Sequence, residues 1–88
     1  MSYELGEVSV YPNPAQNEVT FKFENEFTSQ ATIILIDVLG KMIGEHILQI
    51  NSNNVAKLNV SALPNGLYYY TIKQPSRTNI TGKLTVLK

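Results

Sequence analysis

Val19-Thr20-Phe21-Lys22-Phe23-Glu24 alternates strictly, with apolar side chains at the odd positions and polar ones at the even positions. Successive side chains of a β-strand leave opposite faces, so this period of two puts Val19, Phe21 and Phe23 on a core face and turns Thr20, Lys22 and Glu24 to solvent. The same reading extends in both directions. Val8 to Tyr11 forms a short first strand. Ala31 to Val38 is more continuously apolar, as in a strand covered on both sides; Ala31, Ile33 and Leu35 take the core phase, and Ile34 and Ile36 fit either side. Lys41 to Ile50 follows, and then Ala56 to Val60, where Leu58 and Val60 alternate with Lys57 and Asn59. Tyr68, Tyr70 and Ile72 share one face, opposite Leu67, Tyr69 and Thr71, until Pro75-Ser76 breaks the strand. Asn79 to Leu87 closes the series, with Leu84 and Val86 opposite Thr85 and Leu87. Thr, Val, Ile, Tyr and Phe dominate these segments, no stretch has a helical period, and seven strands are predicted.

The segments between the strands carry turn chemistry. Asp37-Val38-Leu39-Gly40 has the composition of a type I turn, with an aspartate to bond the backbone at its first position and a glycine to end it. Asn51-Ser52-Asn53-Asn54 is a polar tip, and Leu63-Pro64-Asn65-Gly66 a further turn in which Gly66 suits a positive φ. In Tyr11-Pro12-Asn13-Pro14 the two prolines fix φ and remove two backbone donors, which ends the first strand, blocks further pairing and makes a rigid corner. Strand spacing alone fits a two-sheet sandwich or a small barrel. Leu63-x-x-Gly66-x-Tyr68 is similar to the corner before the sixth strand of immunoglobulin-like domains, which favours an all-β, immunoglobulin-like antiparallel β-sandwich. Its expected core includes Val19, Phe21, Phe23, Ile33, Leu35, Leu58, Val60, Tyr68, Tyr70 and Ile72.

At 88 residues, 43% of them hydrophobic, the chain accommodates one modest core and a single domain. There is no cysteine, so packing must replace disulfides and thiolate-bound metals as the source of stability. Seven basic and seven acidic residues cancel and are scattered, leaving no patch for nucleic acid. The apolar run from Ile33 to Ile36 is far short of the roughly 20 residues that span a bilayer, and no signal-peptide pattern opens the chain. Residues 1–7 read as a linker or an appended start.

Catalytic chemistry finds little to work with. His46 is the one histidine and sits in a strand between Glu45 and Ile47 without converging partners. Asp37 is the sole aspartate, and its turn-capping role already accounts for it. Asn51 to Asn54 offers amides without the carboxylates that calcium requires. Among Tyr68, Tyr69 and Tyr70, alternation sends Tyr69 alone outward, which makes a poor sugar platform. Asn59-Val60-Ser61 and Asn79-Ile80-Thr81 match the glycosylation tripeptide but lie in predicted strands. The expectation is a non-enzyme with no cofactor, no metal and no small-molecule substrate.

Three blocks form an ordered signature: Val10-Tyr11-Pro12-Asn13-Pro14, then Asp37-Val38-Leu39-Gly40-Lys41, then Leu63-Pro64-Asn65-Gly66-Leu67-Tyr68 followed by Lys83-Leu84-Thr85-Val86-Leu87-Lys88. In order and spacing they resemble the type A C-terminal sorting domain of type IX secretion, and the likeness covers residues 8–88. The resemblance implies a domain fused behind an N-terminal cargo in a Gram-negative bacterium. Cargo would reach the periplasm by its own signal, and the outer-membrane translocon would recognise the domain. A sortase-like peptidase would then remove it and attach the cargo to the cell surface or release it. The residues marked by the resemblance are Tyr11, Pro12, Asn13, Pro14, Asp37, Gly40, Lys41, Leu63, Gly66, Tyr68, Lys83, Leu84, Val86 and Lys88. Several of them are turn or core residues that the fold alone could demand. The terminal strand, bracketed by Lys83 and Lys88, is the better candidate for recognition, and as a sheet edge it could be read by strand addition. The competing reading is a fibronectin-like spacer or a carbohydrate-binding sandwich of an extracellular enzyme.

Overall fold

The computed structural model describes residues 8–24, 29–74 and 79–88. Residues 1–7 and the Pro75-Ser76 break lie outside the described residues. The seven strands are β1 (Val8–Tyr11), β2 (Glu18–Phe23), β3 (Gln30–Asp37), β4 (Met42–Gln49), β5 (Val55–Asn59), β6 (Gly66–Lys73) and β7 (Ile80–Val86). They form two antiparallel sheets, one ordered β1-β2-β5 and the other β4-β3-β6-β7, and among the described residues there is no helix. The chain is an immunoglobulin-like β-sandwich.

Alternation decides which face of each strand is buried. Val19, Phe21 and Phe23 of β2 face Ile33, Leu35, Tyr70 and Ile72 of the second sheet in one core cluster, joined by Leu58, Val60, Tyr68, Leu84 and Val86. All ten residues expected inside are buried. Phe21 and Tyr70 meet edge to face across the two sheets, with centroids 5.5 Å apart and planes at 85°. That geometry favours the ring quadrupoles and fixes the relative position of the sheets.

Strand β3 differs from the expectation of cover on both sides. Ala31, Ile33 and Leu35 are buried, but Ile34 and Ile36 are half-buried on the outer face of the second sheet. No further layer of described residues lies above them. Their apolar character goes with the central position of β3, which is flanked by β4 and β6. Flanking strands shield a side chain laterally without a second layer. A register shift between Leu35 and Ile36 leaves Ile43 packed towards the core and Met42 opposite Ile36.

Candidate functional site

Antiparallel register brings the signature blocks to one end of the sandwich. Asp37 ends β3 beside Tyr68 near the start of β6, and Tyr68 in turn faces Leu84 near the end of β7. Tyr11 ends β1 at the same pole, where Glu18 starts β2 opposite Asn59 at the end of β5. The opposite pole holds Val8, which pairs with Phe23, and the turn at Asn51 to Asn54, whose Asn54 carbonyl accepts from the Phe23 amide at 2.8 Å. Val8, the first described residue, therefore lies at the pole away from the signature.

The corner between β5 and β6 is held from two sides. The Tyr68 hydroxyl donates to the Pro64 carbonyl at 2.5 Å, four residues upstream, while the ring is buried at 5% exposure. This is the tyrosine corner of immunoglobulin-like sandwiches. Next to it the Lys88 ammonium donates to the carbonyls of Ser61 (2.6 Å) and Leu63 (2.5 Å), and the Lys88 amide donates to Asn65 Oδ1 (3.0 Å). Successive carbonyls, of Leu63 and Pro64, are thus satisfied by two side chains from different strands' ends. A terminal lysine expected to offer its charge to a partner instead directs it at backbone dipoles, where charge-assisted bonds are strongest. Gly66 has φ +156°, as its position in the turn foreshadowed.

Pro12 and Pro14 do end β1, but pairing resumes one residue later with the opposite sheet. Ala15, fully buried, donates its amide to Thr85 O and accepts from the Leu87 amide, both at 2.8 Å, in a parallel bridge to Val86. Asn13 extends the contact, its Oδ1 accepting from the Thr85 amide (3.0 Å) and its Nδ2 donating to Lys83 O (3.4 Å). Strand β7 is a sheet edge, yet its outward backbone groups at Thr85 and Leu87 are already engaged by this strap. The expected blocking of pairing is therefore corrected: the proline corner redirects the chain across the sandwich. Leu84 and Val86 are fully buried, so of this block Lys83, Leu87 and Lys88 are exposed, with the Lys88 ammonium turned onto the corner carbonyls. Beside the strap, Pro12, Pro14, Gln16, Asn17, Glu18 and Leu87 line an open cleft of about 580 Å³.

At the β3–β4 turn, Asp37 acts as the capping residue that its composition suggested. Its Oδ1 accepts from the amides of Leu39 (2.9 Å) and Lys41 (3.0 Å), and Gly40 closes the turn at φ +86°. Val38, Leu39 and Lys41 are exposed. His46 lies exposed on β4, away from this pole, and the described residues contain no group of three or more His, Cys, Asp or Glu suited to a metal. Ala15, Ser61, Asn65 and Gly82 matter to the pole or its support and carry no distinguishing sequence signal beyond, for Asn65, its place in a turn. Gly82 faces Tyr70 across β6 and β7, and a Cβ there would overlap the ring.

A family model described as the secretion system C-terminal sorting domain matches residues 9–87. The chain belongs to this family. It is accordingly a sorting signal of type IX secretion, from a family that is not catalytic, and such a signal implies a fused cargo, the type IX machinery and an address at the cell surface or outside the cell. A search of curated proteins finds no match to this sorting domain. Within the domain, Tyr69 is the outward ring of the tyrosine triplet at 40% exposure, with Tyr68 and Tyr70 at 5% each. A row of stacked rings for a sugar is not formed there.

Proposed function

We propose that the sorting domain is read as a folded unit, at its signature pole, by the outer-membrane translocon of type IX secretion. A cargo fused ahead of Val8 hangs from the other pole and leaves the reading surface clear. Cargo arrives in the periplasm by its own signal; after translocation a sortase-like peptidase removes the domain and the cargo is attached to the surface or released. The observation that carries this reading is the convergence of Tyr11–Pro14, Asp37–Lys41, Leu63–Tyr68 and Lys83–Lys88 at one pole, away from Val8. Strand addition along the last residues of β7 would first require the strap at Asn13 to Ala15 to move. Side-chain contacts at the pole need no such opening, so recognition there is assigned to projecting groups, Lys83 among them.

The test is export of a periplasm-targeted fluorescent protein fused ahead of this chain in a type IX host. Export to the surface or medium is expected. Retention in the periplasm of a host that exports its own cargo would refute the sorting role. Lys83→Glu, at an exposed position outside the corner clasp, should change stability by no more than about 0.5 kcal/mol and reduce export. Normal export of the folded variant would remove Lys83 from the reading surface.

A further inference from the structure

Two turns of this fold are built alike and filled differently. In residues 37–41 the Asp37 carboxylate caps the amides of Leu39 and Lys41, the Gly40 amide donates to Asp37 O (3.0 Å), the Asp37 amide donates to Lys41 O (3.0 Å), and the fourth residue has φ +86°. In residues 51–55 Asn51 Oδ1 caps the amides of Asn53 (2.8 Å) and Val55 (3.1 Å), and the Asn54 amide donates to Asn51 O (2.9 Å). The Asn51 amide donates to Val55 O (3.0 Å), and Asn54 has φ +63°. This conformation needs a short acceptor side chain first and a residue tolerant of positive φ fourth, and it asks nothing apolar of the second and third positions. The turn at the far pole fills them with Ser52 and Asn53. The turn at the signature pole fills them with Val38 and Leu39, which are 61% and 88% exposed, and Met42 follows at 57%. The fold accepts a polar tip, so the apolar one has another use.

We propose that the Val38-Leu39 tip, with Met42 beside it on the hairpin, is a docking plug for an apolar socket with an acidic rim on a protein of the type IX export machinery. The inference rests on the sorting role and names the part of the signature pole that makes the contact. A capped turn holds the plug in one conformation before binding, which lowers the ordering cost of association. The chemistry of the rim follows from charge. The Asp37 carboxylate is turned onto backbone amides, so the exposed charge within the turn itself is Lys41, and a carboxylate across the interface complements it. A lipid surface fits less well. The chain has zero net charge, and Lys41 and Lys83 with three apolar side chains supply neither the basic cluster nor the apolar area of an interfacial anchor.

The test uses the fluorescent fusion described above. Val38→Ser with Leu39→Asn copies the filling of the far turn while keeping Asp37 and Gly40, and should melt like the parent. Its export should fall at least about tenfold, the effect of losing apolar anchors at an interface centre. The mirror variant, Ser52→Val with Asn53→Leu, should export like the parent. If the double variant at the tip melts lower, Leu39→Gln replaces it, because that side chain is 88% exposed and supports nothing inside. Leu39→Trp places a single tryptophan in a chain that has none, and its emission should not change with vesicles of neutral or anionic phospholipid. Full export of a folded tip variant overturns the plug while leaving the sorting role intact. Equal loss in the mirror variant overturns its specificity, and a blue shift on vesicles replaces the protein socket with a lipid surface. Failure of the unmodified fusion to leave the periplasm removes the sorting role, and the plug with it.

Discussion

Tyr68 and Lys88 hold adjacent carbonyls of one corner, so their contributions to stability should be coupled. Tyr68→Phe keeps the buried ring and removes the 2.5 Å bond to Pro64 O, leaving that carbonyl without its partner at about 1–1.5 kcal/mol. Lys88→Met keeps the aliphatic stem and removes two bonds to Ser61 O and Leu63 O. These bonds are charge-assisted but lie at the surface, and about 0.5–1.5 kcal/mol is expected. Once either anchor is lost, the corner is freer and the other has less to hold. The double variant should therefore cost less than the sum, with a coupling of at least about 0.5 kcal/mol. For a domain of this size each kcal/mol lowers the melting temperature by about 4–8 °C, so thermal unfolding of the four proteins resolves the cycle. Tyr68→Ala sets the scale: removing the ring itself should cost about 3–5 kcal/mol. Strict additivity of Tyr68→Phe and Lys88→Met, within about 0.3 kcal/mol, would show that the two anchors act on independent structures and would refute the clasp.

Gly82→Ala places a methyl group against Tyr70 and should cost about 1–3 kcal/mol in urea unfolding through overpacking; unchanged stability would mean that the ring moves aside freely. Burial of Tyr70 raises its phenol above the ordinary 10.0 by desolvating the charged form. The unfolded chain then deprotonates first as pH rises, so the contribution is fully present below pH 10.0 and is lost as pH climbs through the higher folded value. Tyr70→Phe should flatten that part of the alkaline decline in stability measured by urea melts between about pH 9 and 11, and an unaltered slope would count against it.

Much of the fold is local and was therefore legible. Alternation at Val19 to Glu24 and Tyr68 to Ile72 assigns the inner face without knowledge of the partner strand, because a strand's side-chain period is a property of its own backbone. The caps at Asp37 and Asn51 are equally local, each side chain bonding amides two and four residues on. The signature was legible too, as an ordered set of short blocks matching a family.

The amino-acid sequence by itself therefore determined the strands, their buried faces, the turns and the family. Tertiary structure alone decided which of them meet. That Asn13 and Ala15 strap β7, 70 and more residues later in the chain, depends on two sheets folding over one another and has no local period to announce it. The same holds for Lys88, whose charge reads as free in a linear chain but lies within reach of Ser61 and Leu63 once β5, β6 and β7 are in register. Ile34 and Ile36 show the converse: an apolar run specifies that side chains avoid water, whereas only the layering of sheets decides whether anything covers them. Backbone stereochemistry acts over neighbouring residues, and contacts between distant ones are fixed by the packing of the whole core.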